Sequence, residues 1–237
     1  LTLQPVMIEV KKAYSLQRLI VVADKGLNST RNIDFICQNG DGYVVSQTLR
    51  GSKGKRYQKA LFDESGWVWN ADRTEKEKLF TEDYEGIGQN GKKEVRQRQV
   101  LIYWNKAEAE MEAKKRQEKL LKAATSCQNG AYGIKKGSQE YVQESFVHPE
   151  TGELLDAKKN SIRSVNHEKA EKDAMFDGYF CLITSEMDYD AKKIREVYGG
   201  LWKIEGSFRS MKSDWLARPV FVHTPAHIRA PFLICFT

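Results

Sequence analysis

One acidic residue, Asp24, lies where a carboxylate could do chemistry. It follows residues 19–23, a continuous apolar run rich in β-branched side chains, which predicts a strand covered on both faces. In open α/β sheets, ligands bind outside the carboxyl ends of the strands, so a carboxylate at that point faces the functional crevice. Lys25 and Gly26 come next, and an aspartate before a glycine also commonly bonds its own backbone in a turn. Position alone leaves both interpretations open.

A second acid, Glu205, is predicted to lie on a long helix. Tyr198, Glu205 and Lys212 are spaced by seven, which places them within roughly 20° of one another around a helix. The same stripe is otherwise apolar, with Ile194, Leu201 and Phe208. An acid on an apolar stripe is costly unless it is paired, hydrogen-bonded or bound to a metal. Pairing with Arg209, four residues on, is the ordinary alternative.

The two carboxylates make no motif by themselves. If the sheet brings Asp24 and Glu205 together, their oxygen ligands favour Mg²⁺ or Mn²⁺ over zinc. Two such ions could activate a water or hydroxyl and stabilise the leaving oxygen in phosphodiester chemistry. The chain carries 38 Lys+Arg against 32 Asp+Glu, a net charge of +6, which would attract a phosphate backbone. Most of these charges are interspersed, as on a solvated surface.

Composition and cysteine spacing exclude several classes of protein. Hydrophobic residues make up 41% of the chain, enough for a core and against general disorder. The four cysteines lie far apart and form neither a zinc ligand set nor a small disulfide scaffold; three of them stand in apolar contexts typical of buried side chains: Cys37, Cys181 and Cys235. No apolar run approaches the roughly 18 residues of a membrane span, and no secretory segment is evident. We therefore expect a reduced, cytoplasmic protein without membrane association.

The first 50 residues alternate between helix and strand signals. Apolar spacing predicts a helix over 5–14, and residues 28–30 can cap a second helix after the 19–23 strand. A turn at 39–42 precedes another predicted strand, 43–48. This alternation is typical of an α/β sheet with parallel pairing.

The middle of the chain has a different pattern of polar and apolar residues, which divides the chain into three parts. Residues 51–175 alternate polar and apolar around turn formers, which predicts an antiparallel, hairpin-rich insertion with one charged helix at 106–124. The α/β signals return with a strand at 179–184, a helix at about 190–214 and a last helix from Thr224. We therefore assign 1–50 and 176–237 to two parts of one core and 51–175 to a β-rich insertion.

Two segments resemble a known family. Residues 198–212, Tyr-Gly-Gly-Leu-Trp-Lys-Ile-Glu-Gly-Ser-Phe-Arg-Ser-Met-Lys, resemble the Tyr-x2-Arg-x3-Glu-x6-Lys signature of bacterial insertion-sequence transposases. These are Asp-Asp-Glu (DDE) enzymes with a β-rich insertion in an RNase H-like domain. Residues 20–26, Ile-Val-Val-Ala-Asp-Lys-Gly, resemble the strand of the family's second aspartate, and 218–236 resemble its C-terminal segment. The resemblance implies an RNase H-like mixed sheet with flanking helices, interrupted by an antiparallel insertion.

The resemblance also implies roles for particular residues. Asp24 and Glu205 would be two of three carboxylates that bind two Mg²⁺ or Mn²⁺ ions. Tyr198 and Lys212 would contact transposon-end DNA near the cleaved phosphate, with Arg209 as a helper. The implied partners are double-stranded DNA, as terminal repeats and target, and a second copy of the protein in a homodimer on paired ends. The implied location is the bacterial cytoplasm, associated with the nucleoid when bound.

The chain departs from the family pattern at three points. Leu201 occupies the signature's arginine position, so that phosphate contact is missing or comes from Lys203. Gly199 weakens the helix, and Pro231 stands where relatives often carry histidine. The family's first aspartate lies on a strand upstream of residue 1. Both ends look cut, so we expect a transposase fragment that does not cleave DNA on its own.

Three functions follow from these observations. The leading hypothesis is a transposase that, when complete, cuts transposon ends and joins them to target DNA by two-metal-ion transesterification. The second is a DNA-binding remnant whose catalysis has decayed. The third is an RNase H-like nuclease that hydrolyses DNA without joining strands.

Overall fold

The computed structural model describes residues 3–128, 139–145 and 162–201. Within these ranges the chain forms six α-helices: α1 (Leu3–Tyr14), α2 (Thr30–Gln38), α3 (Gly51–Phe62), α4 (Lys106–Gln128), α5 (His167–Ala174) and α6 (Ala191–Gly199). It also forms eight strands: β1 (Ile20–Ala23), β2 (Gly42–Gln47), β3 (Val68–Trp69), β4 (Glu75–Ile87), β5 (Lys93–Asn105), β6 (Val142–Ser145), β7 (Ile162–Val165) and β8 (Tyr179–Thr184). A short 3₁₀ helix covers Gln139–Tyr141.

Six of the strands form one mixed sheet in the order β1-β2-β8-β5-β4-β3. β1 and β2 are parallel, with Ile20 opposite Gly42 and Ala23 opposite Val45, whereas β3 and β4 are antiparallel. β6 and β7 form a separate antiparallel pair. Asp24, one of the predicted site residues, directly follows β1 of the parallel pair.

The fold consists of two compact units. The first comprises Leu1–Gln47, Leu79–Leu101 and Leu182–Thr237, and the second comprises Thr48–Lys78 and Ile102–Cys181, as far as the structure describes them. The chain therefore leaves the first unit after β2, returns to it over 79–101, and returns again from Leu182 for its last described elements.

Local sequence signals explain the helices of the first unit. Ser29 caps α2, its side chain accepting a hydrogen bond from the Asn32 amide, and Asp190 caps α6 in the same way at Lys193. Gly40 ends the α2 region with a φ of +69°, a conformation that glycine adopts without steric cost. The core of this unit lies around the β1–β2 pair, where Tyr43, Val44 and Val45 of β2 are fully buried or nearly so.

The second unit has its own apolar core. α3 buries Gly54, Tyr57 and Leu61 on one face. α4 packs against β7 and α5, with a small cluster of Ala123, Tyr141 and Ala170 at its centre. These contacts hold a 23-residue helix whose own apolar stripe is weak.

Several predictions from the sequence are confirmed. The helix at 5–14, the capped helix after 28–30, the two strands of the first 50 residues and their parallel pairing all match α1, α2, β1 and β2. The charged helix at 106–124 corresponds to α4, and the strand at 179–184 is β8. The predicted helix at 190–214 begins as α6, but residues beyond 201 and the helix from Thr224 lie outside the described residues.

Within 51–175 we expected one charged helix among strands, whereas the structure also has α3 and α5 there. Two glycines lower the helix propensity of 51–62, yet Gly54 is required there because a Cβ would lie 2.2 Å from the carbonyl carbon of Leu49. α5 is short and depends on Asn166, whose side chain accepts from the Lys169 amide. Tertiary packing overrides weak local preference at α3, whereas α5 has a local cap. The predicted domain boundaries at residues 50 and 175 stay predictions.

The cysteines were predicted correctly in part. Cys37, Cys127 and Cys181 are free thiols, and Cys181 is buried as expected. Cys37 is only half-buried, and its Sγ lies 3.7 Å from the Tyr84 hydroxyl, so its apolar neighbours in sequence did not determine its surroundings. Cys235 lies outside the described residues.

Candidate active site

Asp24 lies at the carboxyl end of β1, as the sequence predicts. Its side chain is exposed, and its Oδ1 accepts a hydrogen bond from the Gly26 amide at 2.9 Å. The turn interpretation is therefore also realised, because one carboxylate oxygen binds the chain's own backbone. No described cation forms an ion pair with this carboxylate, which leaves the Oδ2 atom available to a ligand.

Asn28 ties the loop after Asp24 to the neighbouring strand. Its Nδ2 donates to the Ser46 carbonyl at 3.1 Å and to Gln47 Oε1 at 2.6 Å, both at the carboxyl end of β2. Asn32 adds a second bond inside the loop, from its Nδ2 to the Leu27 carbonyl at 2.9 Å. These bonds hold the Asp24 loop against the end of the parallel pair. From the sequence we treated Asn28 only as part of a helix cap.

The amino ends of the same two strands are fixed by a buried carboxylate. Asp41 Oδ1 accepts from the Leu19 amide at 2.8 Å and from Lys11 Nζ at 2.7 Å. The Asp41 side chain is fully buried, whereas Lys11 is partly exposed. Because Leu19 directly precedes β1, this carboxylate connects α1, β1 and β2.

A second ion pair reinforces that end of the strands. Arg18 Nη2 donates to both carboxylate oxygens of Glu186, at 2.6 and 2.8 Å. Glu186 is 5% exposed, and Ser185 Oγ also donates to it at 3.0 Å. The hydrogen bond with Glu186 raises the pKa of Arg18. Gly42 lies against this carboxylate, since a Cβ there would come within 2.0 Å of Glu186 Oε1.

A hydroxyl network lies on β2 of the same unit. The Thr184 hydroxyl donates to the Tyr43 carbonyl at 2.6 Å, and the Tyr43 amide donates to Ser185 Oγ at 3.0 Å. Burial raises the pKa of the Tyr43 phenol, whose oxygen lies 3.4 Å from that of Tyr84. The phenol therefore remains protonated, and its role is to support the strand rather than to transfer protons.

Helix α6 leads toward the predicted glutamate. It packs against both β1 and β2, and it buries Ala191 and Ile194 on the face turned toward them. Tyr198, on the same side of the helix, is half-buried, and α6 ends at Gly199. The start of the Tyr-x2-Arg-x3-Glu-x6-Lys segment thus lies on the strand pair that carries Asp24.

The structure does not test four of the predicted site residues. Lys203, Glu205, Arg209 and Lys212 lie outside the described residues, so the separation of Asp24 from Glu205 stays a prediction. Of the predicted site, the structure describes Asp24 and Tyr198.

The other aspartates near these elements already have cationic partners. Asp34 Oδ1 accepts from Arg96 Nη1 at 3.1 Å, and Asp177 is paired with Arg116. Asp41 is held by Lys11, as described above. Each of these acids has a structural role, and none of them lies in a segment that resembles the family.

The metal site can be judged only from its described ligand. Across 3–128, 139–145 and 162–201, no three histidine, cysteine, aspartate or glutamate side chains lie close enough together to hold a metal ion. Asp24 alone offers an exposed carboxylate, and such oxygen ligands suit Mg²⁺ or Mn²⁺. The donor chemistry therefore fits a hard divalent cation, with the remaining ligands to come from elsewhere in the chain.

An α/β domain with a carboxylate after one strand of a parallel pair, and a helix packed on that pair, is the framework expected of a phosphodiester-processing enzyme. A family model described as "Transposase DDE domain" matches residues 2–237, so the chain belongs to this family. The RNase H-like mixed α/β fold predicted from the resemblance is confirmed. A search of curated proteins found no match.

Membership of the family supports a transposase function. DDE transposases act on DNA, cleave nucleic acid and generally use divalent metal ions. None of the helices in the part of the chain that the structure describes is long and apolar enough to span a membrane.

Proposed function

We propose that this protein is the catalytic part of a transposase that cuts transposon ends and joins them to target DNA by metal-dependent transesterification. One observation carries the proposal: Asp24 ends a strand of the parallel pair on which α6, the helix leading to Glu205, is packed. The match over residues 2–237 supports the same assignment.

Asp24 and Glu205 would hold two Mg²⁺ or Mn²⁺ ions together with a third carboxylate, which the resemblance places upstream of residue 1. When bound, such ions activate a water or hydroxyl and stabilise the leaving oxygen. The exposed carboxylate of Asp24, anchored through Gly26 and the Asn28 loop, supplies a ligand whose position is fixed before metal binds.

The remaining site residues would position DNA. Tyr198, Lys203, Arg209 and Lys212 would contact phosphates near the cleaved bond, which orients the duplex without reading its sequence. Lys203 would supply the contact that the arginine of the signature makes in relatives, since Leu201 cannot. A homodimer on paired ends, in the bacterial cytoplasm and on the nucleoid, completes the proposal.

The reaction proceeds in two displacements at phosphorus. In cleavage, a water oxygen attacks a phosphodiester at the transposon end, the bond from phosphorus to the 3′ oxygen breaks, and that oxygen leaves as the 3′-hydroxyl after taking a proton. In joining, this 3′-hydroxyl attacks a target phosphodiester, and the target's own 3′ oxygen leaves. No oxidant or reductant is needed, and one phosphodiester replaces another in the second step.

Divalent-ion-dependent nicking tests the assignment. The full-length protein, with the upstream aspartate expected from the resemblance, should nick terminal-repeat DNA only with Mg²⁺ or Mn²⁺ present. Glu205→Gln and Asp24→Asn should each reduce nicking by at least about 100-fold, because each removes a charged metal ligand.

Glu196→Gln is the matched control, since Glu196 is an exposed glutamate of α6 that faces Lys193 at 3.4 Å. It should retain full nicking. Unchanged nicking by Glu205→Gln would defeat the catalytic assignment.

The decayed remnant is a second candidate, favoured by the replacement at Leu201 and by the end of α6 at Gly199. Under that alternative the full-length protein would bind terminal-repeat DNA but nick none of it with either ion. Replacing Leu201 by arginine would then be the first attempt to restore activity.

A further inference from the structure

Helix α3 carries a strongly basic exposed surface that the proposed active site does not use. Over Gly51–Phe62 the helix has four cationic residues and no acidic one. All four are exposed: Lys53, Lys55, Arg56 and Lys59. The hairpin interpretation of 51–175 gave no reason to expect them on one surface.

The orientation of α3 is fixed by its buried face. Tyr57 and Leu61 are each 2% exposed, and Gly54 allows the helix to approach the Leu49 backbone closely. The Gln58 side chain donates to the Leu49 carbonyl at 2.9 Å. With the helix anchored along this line, its opposite face must point to solvent.

Lys55 and Lys59 lie on that opposite face. They are four residues apart, so they are neighbours on the helix surface, about 6 Å apart along its axis. At about 100° per residue, both lie more than 90° away from the line through Gly54 and Leu61. Their side chains therefore form a pair of adjacent cations on a rigid support.

Several lysines of the second unit differ from Lys55 and Lys59 in that an acid forms an ion pair with them. Elsewhere, Lys119 pairs with Glu140 at 2.7 Å, and Lys172 pairs with Glu168. Within the described residues neither Lys55 nor Lys59 forms an ion pair. The pKa of Asp63, the first acid after the helix, is lowered chiefly by hydrogen bonds from the Ser65 amide and hydroxyl at 3.0 and 2.8 Å, and more weakly by the charge of Lys59.

We propose that the Lys55–Lys59 face of α3 binds phosphates of the DNA backbone. This inference rests on the proposed function, because it takes duplex DNA as the substrate. Exposed cations that form no ion pair within the described residues match the charge of a duplex, and lysine binds phosphate as a point charge without bidentate geometry. The contact should therefore add affinity equally to any sequence.

The salt dependence of DNA binding tests this proposal. The dissociation constant of the full chain for a random-sequence DNA duplex is measured over about 50 to 200 mM salt, for the wild type and for Lys55→Gln/Lys59→Gln. Loss of two phosphate contacts should lower the slope of log K against log salt by about 2. Affinity should fall roughly tenfold at the low end of that range, by a similar factor on a second, unrelated duplex.

The matched control removes two lysines that already face acids. Lys93 pairs with Glu85 at 2.9 Å, and Lys172 pairs with Glu168. Lys93→Gln/Lys172→Gln changes the net charge by the same amount but should leave the slope within about 0.5 of the wild type. Lys55→Glu/Lys59→Glu, with repulsion added, should weaken binding further than the glutamine variant.

An unchanged slope in Lys55→Gln/Lys59→Gln, or an equal change in the control, would overturn the proposal, as would a wild-type chain that does not bind the duplex. Circular dichroism and urea unfolding verify that the variants fold; all substituted side chains are exposed. Binding is measured without divalent ions and without nicking. A protein that never nicks DNA but shows the slope change would therefore lose the catalytic assignment and keep this one.

Discussion

Asp24 and Asp41 show how one residue type takes different roles at the two ends of a strand pair. At the carboxyl end, Asp24 is exposed, and within the described residues its side chain accepts a hydrogen bond only from the Gly26 amide, as suits a metal ligand. At the amino end, Asp41 is buried and held by Leu19 and Lys11. The difference follows from burial, because a carboxylate inside the fold requires charged and hydrogen-bonding partners.

Gly42 offers a residue-scale prediction about that amino end. In Gly42→Ala, the new Cβ would meet Glu186 Oε1 at 2.0 Å and Arg18 Nη2 at 2.9 Å. The Glu186 carboxylate would have to move from its arginine, leaving a buried charge poorly paired. We expect the free energy of unfolding, measured with urea, to fall by about 2 kcal/mol.

Gly199→Ala is the matched substitution, since a Cβ at Gly199 meets nothing within 4 Å. Gly199 is the last residue of α6, so Gly199→Ala should leave the free energy of unfolding unchanged or raise it by up to about 1 kcal/mol. If Gly42→Ala were as stable as Gly199→Ala, the contact between residue 42 and the Glu186 carboxylate would not be tight. In a Glu186→Ala background, the cost of Gly42→Ala should shrink, because its partner in the clash is gone.

At the scale of elements, one lysine of the second unit lies among three aromatic rings. Lys76 of β4 is 9% exposed, and its Nζ lies 4.4 Å from the ring centre of Trp67. The rings of Trp69 and Tyr179 are 5.2 and 5.3 Å away. This cation joins the segment before β3, β3 itself and β8 to β4.

Lys76→Met should test that organisation. Methionine keeps most of the hydrocarbon length and removes the charge, so the loss reports on attraction between the ammonium and the rings. We expect the free energy of unfolding to fall by about 1 to 2 kcal/mol, with a changed tryptophan fluorescence in the folded state.

Lys93→Met is the comparison, because the Lys93 side chain is 75% exposed and pairs with Glu85. Its effect on stability should stay below about 0.5 kcal/mol. If Lys76→Met were as stable as the wild type, the aromatic rings would pack equally well around an uncharged side chain.

At the scale of the whole molecule, the chain joins a sheet-based framework to a net positive charge of +6. That charge favours association with DNA without choosing among transposase, remnant and nuclease. The three functions differ in what the protein does with the 3′ end of a cut strand.

A joining assay separates the transposase from the nuclease. The full-length protein, a pre-cut terminal-repeat duplex and a supercoiled plasmid should yield plasmid carrying the duplex covalently, in the presence of Mg²⁺ or Mn²⁺. The same duplex ending in a dideoxynucleotide lacks the 3′-hydroxyl nucleophile and should not be joined. Nicked plasmid without joined product from the hydroxyl-bearing duplex would favour the nuclease.

Much of the first 47 residues was predictable because its signals are local. The apolar run before Asp24, the Ser29 cap and the turn at Gly40 each depend on residues a few positions apart. The helix α3 was not predictable in that way. Its two glycines oppose a helix, and Gly54 makes sense only beside the Leu49 backbone.

The sequence by itself determined the family signature, the placement of Asp24 directly after a strand and the parallel α/β arrangement around it. The covering of that strand on both faces was predicted wrongly, since only Ala23 of β1 is buried. Only the tertiary structure showed that Arg18 meets Glu186 across 168 positions, that Asn28 anchors the Asp24 loop, and that Lys55 and Lys59 of α3 share one exposed face. The physical reason is range. Hydrophobic periodicity, caps and turns act between near neighbours, whereas ion pairs and close backbone approaches depend on which distant segments pack together.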